Sequence, residues 1–257
     1  MIIGVIPARF SSTRLLGKPL ADIGGKPMIR HTYESAKKSK FIQKLIIAVD
    51  DTKVEQVVRG FGADVMVTPS DINTGSDRIA YVVKKFKDAD IIVNIQGDEP
   101  FINAEMIDQA IEPLLFDKNV NVSTLAKRID SVQDFKVSSV VKVVFDYNNC
   151  AMYFSRSPIP FVRDGKSNFE KIQMSEVYKH IGLYVFRRDA LLKFTSLEPT
   201  DLEKAEKLEQ LRLLENGIKI KVVVTEFDTL AVDTQDDLDR ARKYYSQKMK
   251  SENKLNK

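Results

Sequence analysis

The chain is expected to form one α/β domain, a mixed, mainly parallel sheet flanked by helices with a smaller β-rich lobe inserted. Three observations predict this. Over the first 118 residues, short β-branched runs alternate with segments of helical periodicity, the pattern of repeated β-α-β units with right-handed crossovers. From about residue 120 the helical signals thin out and strand-like runs follow one another. No internal repeat and no linker rich in Pro, Gly or Ser interrupts the 257 residues, which suffice to bury one large core. The expected division is a single domain over 1–250, with a first half at 1–118, a second half at 119–233 and a closing helix at 234–250.

The elements follow in order. "IIGVI" (2–6) is a short apolar strand. In "PMIRHTYESAKKSK" (27–40), Met28, Ile29, Tyr33 and Ala36 recur at helical spacing, and Pro27 suits a first helical turn. "KLIIAVD" (44–50) is continuous and β-branched, as a strand covered on both faces should be. "DTKVEQVVRGFG" (51–62) predicts a capped helix ending near glycine, and "DVMVT" (64–68) a strand. "SDRIAYVVKKFK" (76–87) predicts a helix capped by Ser76, "DIIVNI" (90–95) a buried strand, and "NAEMIDQAIEPLL" (103–115) a helix opened by Asn103. In the second half, "VSTLAKRI" (122–129), "SVVKVVFD" (139–146), "CAMYFS" (150–155), "HIGLYVFRR" (180–188) and "KIKVVVTEF" (219–227) predict strands. Segment 162–177 is polar and reads as an irregular loop. "LEKAEKLEQLRLLENG" (202–217) predicts one helix with Gly217 past its end. The tail "SENKLNK" is expected to fray.

Composition narrows the function classes. With 43% hydrophobic and 30% charged residues, the chain is ordinary for a globular protein. Its 40 basic and 36 acidic residues are interleaved, so the net charge of +4 makes no field suited to nucleic acid, and no nucleic-acid partner is expected. The clusters Lys37, Lys38, Lys40 and Lys84, Lys85, Lys87 read as solvated helix faces. Cys150 is the only cysteine, which excludes an internal disulfide and a Cys-cluster zinc site and fits a reducing compartment. Its strand-like surroundings predict a buried, inert thiol. No apolar run reaches membrane-spanning length, and the N-terminus lacks the pattern of a signal peptide. A cytoplasmic protein without a membrane partner is expected.

The chemistry gathers beyond the carboxyl ends of strands, where open parallel sheets bind ligands. "IPARFSSTRLLGKPL" (6–20) follows the first strand with Arg9, Ser11, Ser12, Thr13, Arg14 and Lys18. It is neither a dinucleotide fingerprint nor a P-loop. Its side chains could still hold a polyphosphate, with backbone N–H groups forming a nest. "NTGSDR" (73–78) offers small donors and Arg78. "NIQGDEP" (94–100) puts Gln96 and Asp98 past an apolar strand, where a carboxylate beside a phosphate loop suits Mg²⁺. "LAVDTQDDL" (230–238) places Asp233 past the last strand and before a helix, where Thr234 could serve as the cap instead.

In this order, "PARFSSTRLLGKPL", "NTGSDR", "NIQGDEP", "FSRSPIP", "KHIGLY", "LEQLRLLENG" and "VDT" resemble the 3-deoxy-manno-octulosonate cytidylyltransferases from residue 1 to about 245. The resemblance implies a Rossmann-like fold of the nucleotide-diphospho-sugar transferase type, with 1–118 as the nucleotide-binding half and 119–233 as the sugar-binding and dimerisation half. It implies cytidylyl transfer from CTP to the anomeric hydroxyl of the acidic eight-carbon sugar Kdo, for lipopolysaccharide synthesis. By that resemblance Pro7, Ala8, Arg9, Ser12 and Lys18 would shape the phosphate site, and Lys18 and Arg9 would act in catalysis. Thr74, Gly75 and Arg78 would help read the cytosine, and Gln96 would contact ribose or sugar. Asp98 and Asp233 would hold Mg²⁺. Arg156, Arg163, His180, Tyr184, Glu209 and Gln210 would form the sugar side. A homodimer through the β-rich segment 120–160 is implied as well. Ile72 stands where many family members carry histidine, which leaves room for an 8-amino Kdo analogue. A sialic-acid-type cytidylyltransferase and a non-catalytic nucleotide-binding protein of the same fold are the alternatives.

Overall fold

The structure, a computed structural model, describes residues 1–11, 14–72 and 74–255, with side chains described as far as residue 251. The chain falls into two compact units. The first comprises Met1–Ala89, Asn94–Glu105 and Thr229–Lys257, and the second Asp90–Val93 and Met106–Asp228.

The first unit begins with β1 (Ile2–Ala8), a 3-10 turn at Lys18–Leu20, and a small hairpin of β2 (Asp22–Ile23) and β3 (Lys26–Pro27). Then come α1 (Met28–Ala36), β4 (Lys44–Val49), α2 (Thr52–Gly60), β5 (Asp64–Val67) and α3 (Gly75–Val83). β1 and β4 pair in parallel with Val5 opposite Ile46, and β4 and β5 with Ile47 opposite Val65. β1 and β4 are buried along nearly their whole length, which is why both are continuous apolar runs in the sequence. Their parallel register sets Ala8 opposite Val49, so the segments that follow both strands leave the sheet at the same edge. Thr74, not Ser76, caps α3, its hydroxyl accepting from the Asp77 N–H. The helix therefore starts two residues earlier than predicted.

The second unit contains β6 (Ile91–Asn94) up to Val93, most of α4 (Ala104–Phe116), β7 (Val122–Arg128), α5 (Val132–Lys136), β8 (Lys142–Phe145) and β9 (Ala151–Ser155). It continues with α6 (Asn168–Met174), β10 (Tyr178–Arg187), α7 (Arg188–Ser196), α8 (Asp201–Glu206), α9 (Gln210–Glu215) and β11 (Lys221–Val224). β7 pairs antiparallel with β10 and parallel with β11, while β8 pairs antiparallel with both β10 and β9. This is the strand-rich half that the sequence predicts, although α5 and α7 are helices it does not predict, and three further features differ. The expected loop at 162–177 contains α6, opened by a reciprocal Ser167–Glu170 capping box. The helix expected over 202–217 is two helices, because Lys207 adopts a left-handed φ of 54° and a buried Glu203–Arg212 ion pair clamps α8 to α9. Cys150 is half-exposed rather than buried.

After Thr229 the chain returns to the first unit and ends in α10 (Gln235–Leu255). Val232, Leu238 and Ala241 pack with Ile23 and Met28 in one apolar cluster. The Tyr245 ring lies directly over Gly24, where a β-carbon would come within 2.1 Å of it. His31 Nε2 donates to Ile23 O (2.8 Å), and the ring meets Tyr245 edge-on. Among the described residues no helix is long and apolar enough to cross a membrane.

His180 makes the second unit sensitive to acid. Its ring packs between Phe154 and Tyr184, with Nε2 2.9 Å from Thr124 Oγ1. Burial lowers its pKa to about 3. An unfolded histidine titrates near 6.5. Between these values the unfolded chain binds a proton that the folded chain refuses, so stability falls as pH falls, by up to about 1.4 kcal/mol per pH unit. Burial also lowers the pKa of His31 in the first unit, with the same sign. The urea midpoint is therefore expected to drop between pH 7 and pH 5, and His180→Gln to flatten that slope. Identical slopes for the two proteins would remove His180 from the acid response.

Candidate active site

The segment after β1 is closed by its backbone. Gly17 N donates to Phe10 O (3.2 Å), and Gly17 has a φ of 66°, a conformation that disfavours side chains. The 3-10 turn follows at once, with Pro19 buried, so the backbone of Lys18 is fixed. Asp50, at the end of β4, anchors the start of the segment. Its carboxylate accepts the Phe10 N–H at 3.0 Å and lies 3.9 Å from Arg9 Nε. A cavity of about 360 Å³ opens here, lined by Pro7, Ala8, Arg9, Ser11, Arg14 and Lys18. Gly75, Gln96, Gly97, Asp98 and Asp233 complete its polar wall. Ser12, expected in the phosphate site, lies outside the described residues, as do Thr13 and Asn73.

Lys18 joins the two predicted carboxylates. Its Nζ donates to Asp98 Oδ2 at 2.7 Å and to Asp233 Oδ1 at 3.0 Å. Burial alone would lower the lysine's pKa, but the charges and hydrogen bonds of Asp98 and Asp233 outweigh it and hold the ammonium above its ordinary value. Arg14 Nη2 approaches the same Asp233 oxygen at 3.1 Å. The backbone explains the convergence. Gly97 fits so tightly that a β-carbon would lie 2.5 Å from Pro7 O, and Val232 N donates to Asp98 O at 2.9 Å. Asp233 therefore does not reach the site as the end of a strand. β11 stops at Val224, and a non-repetitive segment delivers Asp233. Nor does Asp233 cap α10. Thr234 Oγ1 accepts from the Asp237 N–H, while Asp237 accepts from the backbones of Asp233 and Thr234. The Asp233 side chain is left facing the two cations.

The expected base-reading pair is engaged elsewhere. Arg78 is fully buried, with Nη2 3.0 Å from Asp50 Oδ2 and 3.2 Å from Ile72 O, and Nη1 bonded to Thr68 Oγ1. Its guanidinium is an internal clamp that ties α3 to the end of β4. Thr74 is occupied as the α3 cap. Among the described residues of this stretch, Gly75 alone lines the cavity. Because Ile72 contributes its carbonyl to the clamp, the side chain at 72 is not needed for that contact.

Of the residues predicted to contact the sugar, Gln96 lines the cavity of the first unit, and the other six belong to the second unit. Arg156 donates to three carbonyls, Glu206 O (2.8 Å), Ser138 O (3.1 Å) and Lys207 O (3.3 Å), one from each guanidinium nitrogen. Beside it the fully buried Lys142 donates to the carbonyls of Val137, Val140 and Arg156. His180 is half-buried and lies against the buried Tyr184. Burial first, and the charge of Glu209 after it, hold the Tyr184 phenol protonated. Gln210 is buried at the start of α9, with Glu209 half-buried just before it. Arg163 stands apart, with 91% of its side chain exposed and Asp164 at 3.9 Å. Sequence reasoning misses Asp50. The available signal is the one that finds Asp98, a carboxylate directly past a buried parallel strand.

The cytidylyltransferase family profile matches residues 3–220. The 3-deoxy-manno-octulosonate cytidylyltransferase of Pelobacter propionicus is 51% identical over 248 residues, 95% of this chain and 97% of that one. A solved CMP:2-keto-3-deoxy-manno-octonic acid synthetase complexed with CTP superposes with a TM-score of 0.89 at 40% identity, covering 96% of this chain and 99% of the other. A 4-diphosphocytidyl-2C-methyl-D-erythritol synthase from Anaerococcus prevotii superposes with a TM-score of 0.63 at 16% identity, covering 95% of this chain and 96% of the other, a likeness of fold alone. The fold is thus the mixed, mainly parallel, helix-flanked sheet of nucleotide-diphospho-sugar transferases. With half the residues shared along nearly the full length, this chain belongs to the 3-deoxy-manno-octulosonate cytidylyltransferase family.

Proposed function

We propose that the chain transfers the cytidylyl group of CTP to the anomeric hydroxyl of Kdo, giving CMP-Kdo and pyrophosphate, and that the cavity beyond β1 receives the triphosphate. One observation carries the reading of the site. Lys18, Asp98 and Asp233 converge in a cavity that also presents Arg9 and Arg14. A triphosphate brings about four negative charges, and phosphoryl transfer asks the protein mainly for charge neutralisation and in-line positioning. In the reaction a bond forms between the sugar oxygen and the α-phosphorus as the bond to the bridging oxygen of pyrophosphate breaks, and the hydroxyl proton is released. Arg9, steadied by Asp50, and Arg14 would bind the phosphates. Lys18 would offset charge developing at the α-phosphoryl group.

The Asp98–Asp233 pair suits Mg²⁺. Both are oxygen donors, and both already lie within 3.0 Å of one positive charge. Among the described residues no group of three or more metal-binding side chains occurs. Mg²⁺ commonly takes one or two carboxylates and completes its shell with water and substrate phosphates. When bound, Mg²⁺ supplies neutralisation of the phosphates and acidifies a hydroxyl that it contacts.

The second unit would meet the sugar. Tyr184, Glu209 and Gln210 offer groups for its hydroxyls, with His180 holding the Tyr184 ring in place. Arg156 would recognise the sugar carboxylate by exchanging one or more of its carbonyl partners for the stronger charged acceptor. The chain would act in the cytoplasm, consistent with a single, half-exposed thiol. It would do so as a homodimer through β8 and β9. Tyr147 and Met152 are exposed there beside a groove of about 780 Å³ bordered by Val143, Phe145 and Tyr178.

Pyrophosphate release with CTP, Mg²⁺ and a panel of Kdo, its 8-amino analogue and sialic acid tests the reaction. Kdo is expected to give the highest kcat/KM. Preference for either other sugar would reassign the substrate, and no release with any of them would contradict an enzymatic role. Light scattering tests the assembly. The wild type should run at twice the chain mass and Met152→Asp at the monomer mass, whereas a monomeric wild type would exclude the dimer.

A further inference from the structure

Lys18 stands where a divalent cation on Asp98 and Asp233 would stand. Its ammonium contacts one oxygen of each carboxylate, at 2.7 and 3.0 Å, and Arg14 comes within 3.1 Å of the Asp233 oxygen that Lys18 also holds. Two carboxylates thus face two cations of the chain itself. A divalent ion added to this set would sit at contact distance from an ammonium, where like charges repel strongly. A triphosphate changes the balance by offering Lys18 and Arg14 another set of anionic oxygens.

The identity of the residue fits such an exchange. A lysine ammonium is a point charge on a flexible stem, so it can move between partners without breaking a planar fork. The Lys18 backbone is held by the 3-10 turn, with its N–H donating to Leu15 O at 3.2 Å and Pro19 buried next to it. Only the side chain has to move.

We infer that Lys18 is an internal occupant of the divalent-cation seat, displaced when its ammonium transfers to the nucleotide phosphates, so that cation binding and nucleotide binding are coupled through this one side chain. The inference rests on the reading of Asp98 and Asp233 as that seat. Coupling of this kind is reciprocal: the nucleotide raises cation affinity by the factor by which the cation raises nucleotide affinity.

Mn²⁺ binding, followed by calorimetry or electron paramagnetic resonance without nucleotide, tests it on the wild type, Lys18→Met, Asp98→Asn and the double variant. Lys18→Met should bind Mn²⁺ more tightly than the wild type, by about tenfold or more once the competing charge is gone. The double variant should lose that gain. The thermal midpoint of Lys18→Met should also rise on adding Mn²⁺ by more than that of the wild type, a readout that reports folding as well. Lys18→Gln serves as the second uncharged variant if Lys18→Met loses its native circular dichroism. Equal or weaker Mn²⁺ binding by the Lys18 variants, with binding in the presence of CTP still abolished by Asp98→Asn, would overturn the inference and leave the seat intact. Mn²⁺ binding indifferent to Asp98→Asn, with or without CTP, would overturn the reading of the seat and the inference with it.

Discussion

One ammonium held between two carboxylates organises the functional end of the first unit. Lys18 comes from the turn after β1, Asp98 from the segment after β6, and Asp233 from the stretch before α10. Two carboxylates this close would repel, and the partly buried lysine would lose its hydration without them. Each charge therefore makes the position of the others tenable. The backbone repeats the constraint. The Val232 to Asp98 hydrogen bond joins two of the three segments, and the absence of a side chain at Gly97 lets the third, at Pro7, press against the second.

Asp50 plays the corresponding part for the opposite wall. It receives the Phe10 N–H from the segment after β1 and the guanidinium of Arg78 from α3, and it pairs loosely with Arg9. A single buried carboxylate thus links the segment carrying the cations to the helix whose first residue, Gly75, lines the cavity. Arg78 is held by Asp50 and the carbonyls of Pro69 and Ile72, so it shapes this wall of the cavity and does not line it. The second unit shows the same economy. Arg156, Lys142 and Glu206 hold the end of β9 to α8 through backbone acceptors and donors, and Tyr184, Glu209 and Gln210 are the groups proposed for the sugar hydroxyls.

Much of this is legible in the sequence where burial leaves a pattern. β1, β4 and β6 are continuous apolar runs because their residues are largely enclosed, and the residues after them stand out as polar against that background. Asp98 and Lys18 are found in this way. Asp50 obeys the same rule but is hidden because it reads as the last residue of its strand. Asp233 is found for an incomplete reason, since a long return segment and a hydrogen bond, not a strand, bring it to Asp98. The break at Lys207 leaves no local trace, because lysine is a good helix former and the left-handed turn is stabilised by the Glu203–Arg212 pair across it. α6 does leave one, the Ser167–Glu170 box, which a hydrophobic pattern alone passes over. The inward turn of Arg78 has no sequence signature at all, because an arginine close to a helix start reads equally well as a ligand contact.

The central claim is that Asp233 acts on the reacting groups and does not merely cap α10, and the Asp233→Asn variant tests it most directly. Thr234 and Asp237 carry the cap, and asparagine keeps the size of the side chain while removing its charge. Steady-state turnover measured over a Mg²⁺ titration, alongside the thermal midpoint, separates the two roles. The account predicts a near-native midpoint, turnover reduced by two or more orders of magnitude (about 3 kcal/mol of lost transition-state stabilisation), and an upward shift in the Mg²⁺ requirement. Wild-type turnover at low Mg²⁺ would contradict it.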